Sequence, residues 1–524
     1  MKIVDATAGG ASERKTAESS IGPPPQGASS FTELILLALI TALAAAVRFY
    51  LLAAKSFWFD EGVSVAIARL DWYNFARILW RREANMSLYY FLLHVWLHFG
   101  GSEFFVRSLS VLFSVASIPV IYLLGRRLFD LRVGLVAAAL LALNAYHVQY
   151  SQDARSYSLM VFLCLLSSLY FLKCLDIPSR ANRGAYIVSS VLAVYAQFFS
   201  LLLVIAHWFS LKTLDREVPR QIKNAWRWIA LLSAPVFIFV ATTGTGPLRW
   251  VQRPSLRDLW VFALHLTGNG GPWLLLACMA ACVAALLPVG CTWKLRRVPW
   301  DVWRYRFLLS WLVFPILLTV ALSLVKPLFV PRYFIFCLPA LLLLVACGIA
   351  KLRPAPMAVA VLLVCIPSFK GTTGYYKHDV DIQRDDWRAA TQYLLNHARP
   401  GDALLFHVPM GRMPYEFYHS LEPTSAAPIV LYPHHEDRIT FLDFVEKPDD
   451  AQLERLLPQH PRAWLVLTYA ETPLGLPDAR STELTNLLGK LYPSVEQRNL
   501  AGIEILLYSN SDFSAELSPR GTTY

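Results

Sequence analysis

Between Phe31 and Phe369 the chain is a succession of apolar runs separated by short loops that carry most of its Lys and Arg. No other feature limits the fold as much. A helix needs about 20 apolar residues to cross a hydrocarbon core of about 30 Å, and every backbone N–H and C=O inside that core must be satisfied within the chain. The composition agrees: 56% of the 524 residues are hydrophobic and 16% charged, far from the balance of a soluble domain. A polytopic α-helical membrane protein is expected.

The first run, roughly Phe31 to Ala54, is longer than a signal-peptide core and reads as an uncleaved span. Further spans fall at roughly 104–124, 133–145, 157–173, 228–243, 272–290, 307–325, 333–350 and 355–369. Residues 184–211 would make either one oblique helix or a hairpin turning near Tyr195-Ala196-Gln197. Only the hairpin keeps Lys212, Arg216, Arg220, Lys223 and Arg227 on the side of the other basic loops, so about eleven spans are expected, with the basic loops cytoplasmic. Ser87 to Gly100 is too short to cross and reads as re-entrant or surface-lying. Val63 to Arg82 has the periodicity of one amphipathic interfacial helix, with Trp72, Tyr73 and Trp80 suited to headgroup depth.

Three regions follow. Residues 1–30, rich in Gly, Ser, Ala and Pro, form a disordered cytoplasmic tail; residues 31–369 form the membrane domain; and residues 370–524 form an extracytoplasmic α/β domain. Strands are expected near 403–408, 429–432, 463–469 and 503–508, alternating with helices at 386–398, 449–457 and 482–492. From Lys370 onward there are 14 Lys/Arg against 21 Asp/Glu, and before it 34 against 16. The excess of basic residues lies in short loops between spans, which explains the net +11 without nucleic-acid binding. None of the eight cysteines falls after Phe369, so no disulfide framework is available to the outer domain. His434-His435-Glu436-Asp437 lacks zinc-ligand spacing and reads as a solvated loop.

The candidate site starts from Phe57-Trp58-Phe59-Asp60-Glu61-Gly62, where the first span ends. Adjacent carboxylates there are costly unless they face water, a partner charge or a reaction. Counting spans puts a second acidic and basic cluster, Ser151-Gln152-Asp153-Ala154-Arg155, on the same outer side. Arg249, Arg253, Arg257, Lys326 and Arg332 also fall outside, against the usual charge bias. Guanidinium forks grip phosphate oxygens well, so this set suits a lipid-linked phosphate.

These residues resemble the GT-C superfamily of membrane glycosyltransferases, in the branch of protein O-mannosyltransferases, lipid A aminoarabinose transferases and rhizobial lipopolysaccharide galacturonosyltransferases. The resemblance spans roughly residues 31–350 and is most specific from Ser87-Leu88-Tyr89-Tyr90 through Glu103-Phe104-Phe105-Val106-Arg107 to Leu124-Gly125-Arg126-Arg127. Met86-Ser87 stand where the family often has two prolines. The resemblance implies a polyprenyl-phosphate sugar donor, with Asp60, followed by Glu61, as the catalytic carboxylate. It matches Tyr150 to Arg155 to a second outer-loop motif and Pro331-Arg332-Tyr333 to the start of a late helix. The expected donor-phosphate residues are therefore Arg332, Tyr333, Arg155, Arg249 and Arg253.

Residue chemistry is compatible with this expectation. Inverting transfer needs a base opposite the leaving group, and a phosphate leaving group needs charge neutralisation rather than a strong acid. Asp60, Glu61 and Asp153 are the candidate catalytic acids, and Asp60 and Asp153 could share a divalent cation, Mg²⁺ or Mn²⁺. The expected setting is the inner cell membrane, with a lipid, glycan or protein acceptor outside. The competing reading is a transporter or lipid-binding protein without chemistry, which would place ionisable or broken-helix features near the bilayer midplane.

Overall fold

The computed structural model describes residues 30–81, 83–243, 251–292, 295–377, 385–424, 426–433, 450–470 and 478–510. The His434–Asp437 run, Arg249 and residues 1–29 of the tail lie outside these. Helix α1 spans Phe31–Phe49 and is followed by three short helices, α2 (Phe59–Ala68), α3 (Trp72–Arg81) and α4 (Ser87–Trp96). The long α5 (Glu103–Leu128), the bent pair α6 (Leu131–Leu143) and α7 (Ala145–Ser151), and α8 (Tyr157–Asp176) come next. After them run α9 (Arg180–Ala196), α10 (Leu201–Leu211), α11 (Arg220–Thr243), α12 (Leu256–Thr267) and α13 (Pro272–Leu286). The membrane part closes with α14 (Trp300–Ser323), α15 (Leu338–Ala350) and α16 (Pro354–Lys377). Among the described residues eight helices are long and apolar enough to cross a membrane, or nine if the bent pair is one span. The α9–α10 pair adds the hairpin expected from its basic flanks, turning at Gln197.

The 58° bend between α6 and α7 frees carbonyls that would otherwise be orphaned in an apolar setting. Arg48, fully buried on α1, takes them up: its guanidinium donates to the carbonyls of Leu141 (3.1 Å) and Ala142 (2.8 Å), and to Ser114 Oγ (2.6 Å). A lone arginine in a first span thus stabilises a broken helix that leads directly into the loop from Gln152 to Ser156.

The interfacial helix expected over Val63–Arg82 is two helices. Asp71 ends the periodicity by accepting the backbone N–H groups of Tyr73 and Asn74, both at 3.2 Å, so it nucleates α3 as a cap. Only α3 shows the amphipathic surface, with Trp72, Tyr73 and Trp80 exposed; α2 is buried from Glu61 to Ala68.

The C-terminal region is a five-stranded mixed sheet in the order β2-β1-β3-β5-β4. Its strands are β1 (Ala403–Phe406), β2 (Ile429–Tyr432), β3 (Arg462–Thr468), β4 (Ser494–Leu500) and β5 (Ile503–Ser509). β1 pairs in parallel with β2 and β3, and β5 runs antiparallel to β3 and β4. Helices α17 (Trp387–His397), α18 (Arg412–Leu421), α19 (Asp450–Leu456) and α20 (Ala479–Leu491) accompany it. Strand β4 and helix α18 were not expected: β4 is an edge strand whose side chains are mostly exposed, leaving little apolar signal, and α18 carries Pro414 in its first turn. Trp387, Phe406, Tyr415 and Phe417 belong to the same continuous core as Phe57 and Val63 of the membrane part. Helix α18 packs on α2 so closely that a Cβ on Gly62 would lie 2.8 Å from Pro414.

Candidate functional site

Asp60 and Glu61 occupy the first turn of α2, where a helix N-terminus favours negative charge. Adjacent residues on a helix point about 100° apart, and these two carboxylates have different surroundings. Glu61 is fully buried. Arg107 of α5 grips both its oxygens, Nη2 to Oε2 at 2.6 Å and Nε to Oε1 at 2.8 Å. The same guanidinium donates to the carbonyls of Leu52, Lys55 and Ser56 at 2.8–3.0 Å. Glu61 Oε1 also accepts the N–H of Ala154 at 2.9 Å. One ion pair therefore ties the end of the first span, α2, α5 and the loop after α7 together.

Asp60 is partly open, with 21% of its side chain exposed. Its Oδ2 lies 3.6 Å from Arg155 Nη2 and 3.5 Å from Arg332 Nη2. Charge-assisted hydrogen bonds are usually 2.7–2.9 Å, so neither guanidinium group makes a tight fork with Asp60. Arg155 is steadied by Ser64 Oγ at 3.3 Å and the Asp60 carbonyl at 3.4 Å. The Arg332 guanidinium lies 5.6 Å from the centre of the Trp58 ring and 5.9 Å from that of Tyr333. Residues about 90, 180 and 270 positions apart in the chain thus meet at one carboxylate.

The remaining expected residues divide. Tyr333 is buried at the site, its ring 5.3 Å from that of Phe199. Asp153 is fully buried, and its charge acts on Tyr89 and Tyr150. Arg253 is exposed before α12, and no described contact joins it to Asp60. Among the described residues no three His, Cys, Asp or Glu side chains converge to hold a metal ion.

Two residues at the site were given no role from sequence. Arg107 lies inside the motif quoted above, but its partner is 46 positions away. Glu83 is a carboxylate just before the short 3₁₀ turn Ala84–Met86. Tyr90 donates to it at 3.4 Å. Burial pushes its pKa up to about 7, Arg155 acting against this and Asp60 with it. A lone acid between basic residues and a short apolar helix was the available signal. Around Arg332 stand the buried Tyr146 and Tyr157 and the half-buried Tyr150, with neighbouring ring centres 5.0 and 4.8 Å apart.

Residues 83–243 match the family model described as dolichyl-phosphate-mannose-protein mannosyltransferase. No curated protein sequence matches the chain. Among solved structures, ArnT from Cupriavidus metallidurans in the apo state is 13% identical with a TM-score of 0.60, covering 91% of this chain and 99% of that one. The same protein bound to undecaprenyl phosphate is 15% identical with a TM-score of 0.59, covering 92% and 99%. The Archaeoglobus fulgidus oligosaccharyltransferase tethered to an acceptor peptide is 11% identical with a TM-score of 0.51, covering 93% and 75%. The chain accordingly has the GT-C membrane fold, joined to a small C-terminal sheet.

Proposed function

We propose that this protein is an inverting glycosyltransferase that moves a sugar from a polyprenyl-phosphate donor to an extracytoplasmic lipid, glycan or protein acceptor. The observation that carries the reading is the pairing of one partly exposed carboxylate, Asp60, with two guanidinium groups from distant elements, 3.6 and 3.5 Å away. The mannosyltransferase family match over residues 83–243 and the similarity to an undecaprenyl-phosphate-bound structure support it.

Before donor binding, Arg155 and Arg332 neutralise Asp60. The arriving phosphate competes for both cations and leaves the carboxylate free to act as a base. Asp60 takes the proton of the acceptor hydroxyl as its oxygen bonds to the anomeric carbon. The anomeric carbon–oxygen bond to phosphate breaks, and its electron pair goes to the leaving phosphate, which the two arginines stabilise. Glu61, already taken by Arg107, positions these groups rather than reacting. The basic loops support a cytoplasmic N-terminus, an inner-membrane location and an outer C-terminal unit beginning near Lys370.

The test is transfer of label from a radiolabelled polyprenyl-phosphate sugar by purified protein. Asp60→Asn should keep lipid binding and lose about 10²–10⁴-fold in turnover. Arg332→Ala should weaken binding of undecaprenyl phosphate by about 1.5–3 kcal/mol. Near-normal turnover in the first variant, or unchanged lipid affinity in the second, would remove the corresponding assignment.

A further inference from the structure

Gln197 ends α9 at the outer turn of the α9–α10 hairpin and is fully buried. Neither its Nε2 nor its Oε1 has a hydrogen-bond partner among the described residues. The turn does not need this side chain, because the backbone N–H of Gln197 is satisfied by Ala193 and its carbonyl by the Ser200 N–H. Buried amides nearly always find partners, so a carboxamide with both ends unpartnered calls for a ligand.

Its surroundings indicate which ligand. The N–H of the next residue, Phe198, donates to Asn85 Oδ1 at 2.9 Å, two positions from Glu83. The ring of Phe199 packs against Tyr333, beside Arg332. Helices α8 and α9 are consecutive and pack together, joined by a short connection. The outer end of α9 therefore adjoins that of α8, where Tyr157 begins. The Tyr157 hydroxyl is also buried and unpartnered among the described residues, as is Ser87 Oγ at the start of α4. The turn at Gln197, whose neighbour Phe199 packs on Tyr333, and the start of α8 at Tyr157, whose hydroxyl lies within electrostatic reach of Arg155 and Arg332, thus bring unused donors and acceptors to the elements that flank the cations assigned to the donor phosphate.

We propose that Gln197 is a specificity-determining residue whose carboxamide hydrogen-bonds hydroxyl groups of the donor sugar. The inference rests on the phosphate reading above: a sugar esterified to a phosphate on Arg332 and Arg155 lies within a few bonds of it. An amide offers two donors and an acceptor with two lone pairs, so it can read a pair of hydroxyls. A site that hydrogen-bonds a substrate hydroxyl discriminates strongly against its absence or inversion.

The experiment measures equilibrium binding to full-length protein of undecaprenyl phosphate and of its glucose, galactose, mannose and galacturonic acid esters. The wild type should hold at least one sugar ester more tightly than bare undecaprenyl phosphate and should distinguish epimers. Gln197→Met, similar in volume but apolar, should reduce that preference by at least about tenfold, the worth of one hydrogen bond. It should leave undecaprenyl phosphate affinity and the melting temperature unimpaired, and Gln197→Asn should recover part of the preference. An undiminished preference in Gln197→Met, as expected if the amide holds only a buried water, overturns the proposal. So does equal loss for all five lipids, which would mark a structural role. If the wild type holds undecaprenyl phosphate but no ester more tightly, the inference falls and the phosphate reading stands. If the wild type does not bind undecaprenyl phosphate, both fall.

Discussion

Neighbouring carboxylates in this protein are separated in role by what reaches them. Glu61 is buried and doubly gripped by Arg107, whereas Asp60 keeps an open edge and guanidinium partners at 3.5–3.6 Å. Removing one member of a buried ion pair costs about 3–5 kcal/mol because the other is left uncompensated. Arg107→Met should therefore lower the melting temperature and turnover together, with partial recovery in Arg107→Met/Glu61→Gln. Asp60→Asn should lower turnover alone. Thermal unfolding in detergent, read beside transfer rates, checks this distinction. Glu83 gives a pH prediction. Its pKa is raised to about 7, so near neutrality it loses a proton and becomes a second anion close to Asp60. Affinity for undecaprenyl phosphate should fall as pH rises through about 7, and Glu83→Gln should flatten that fall. A fall that persists in the variant would assign the titration elsewhere. Between the ordinary carboxylate value and about 7 the folded protein holds a proton the unfolded chain has lost. This group's contribution to stability therefore declines as pH rises through that window.

Helix α2 connects the chemistry to the rest of the structure. Its first turn carries Asp60 and Glu61 and its body is buried, with α18 of the sheet region against it. The break at Asp71 keeps α2 short, so that it can be buried while α3 lies with its aromatic residues exposed. Gly62 marks the closest approach: a Cβ there would meet the Pro414 ring and backbone at 2.8 Å. Gly62→Ala should push α18 from α2 and cost about 1–3 kcal/mol as overpacking, with a fall in transfer because Asp60 lies two residues away. A variant with unchanged melting temperature and turnover would mean that α18 yields easily and does not help to hold α2. Periodicity revealed that residues 63–82 are helical, but not the division. That division depends on a local capping bond and on α18, a helix contributed from about 350 residues away.

At the scale of the whole molecule, the bundle and the sheet share one core through Phe57, Trp387 and Phe417, which sets α18 and Tyr469 against the helix that carries Asp60. The proposed orientation predicts labelling of a cysteine-free background by an impermeant thiol reagent. Glu422→Cys and Arg257→Cys, both exposed, should react from outside, and Lys223→Cys should be protected. Labelling at position 223 would reverse the assignment of the α9–α10 hairpin. The apolar runs, the basic loops and the alternating C-terminal pattern by themselves determined a polytopic helical protein with an α/β addition. Transfer free energy and strand or helix periodicity are local properties, summed along the chain, so they are legible without contacts. Asp60 stood out as a candidate too, because a carboxylate at the end of a span is costly wherever it occurs. Only the tertiary structure decided that Glu61 belongs to Arg107, that Glu83 joins the site, and that Gln197 is buried without a side-chain hydrogen-bond partner among the described residues. Each of these is set by pairing and burial between elements far apart in sequence, which no local pattern encodes.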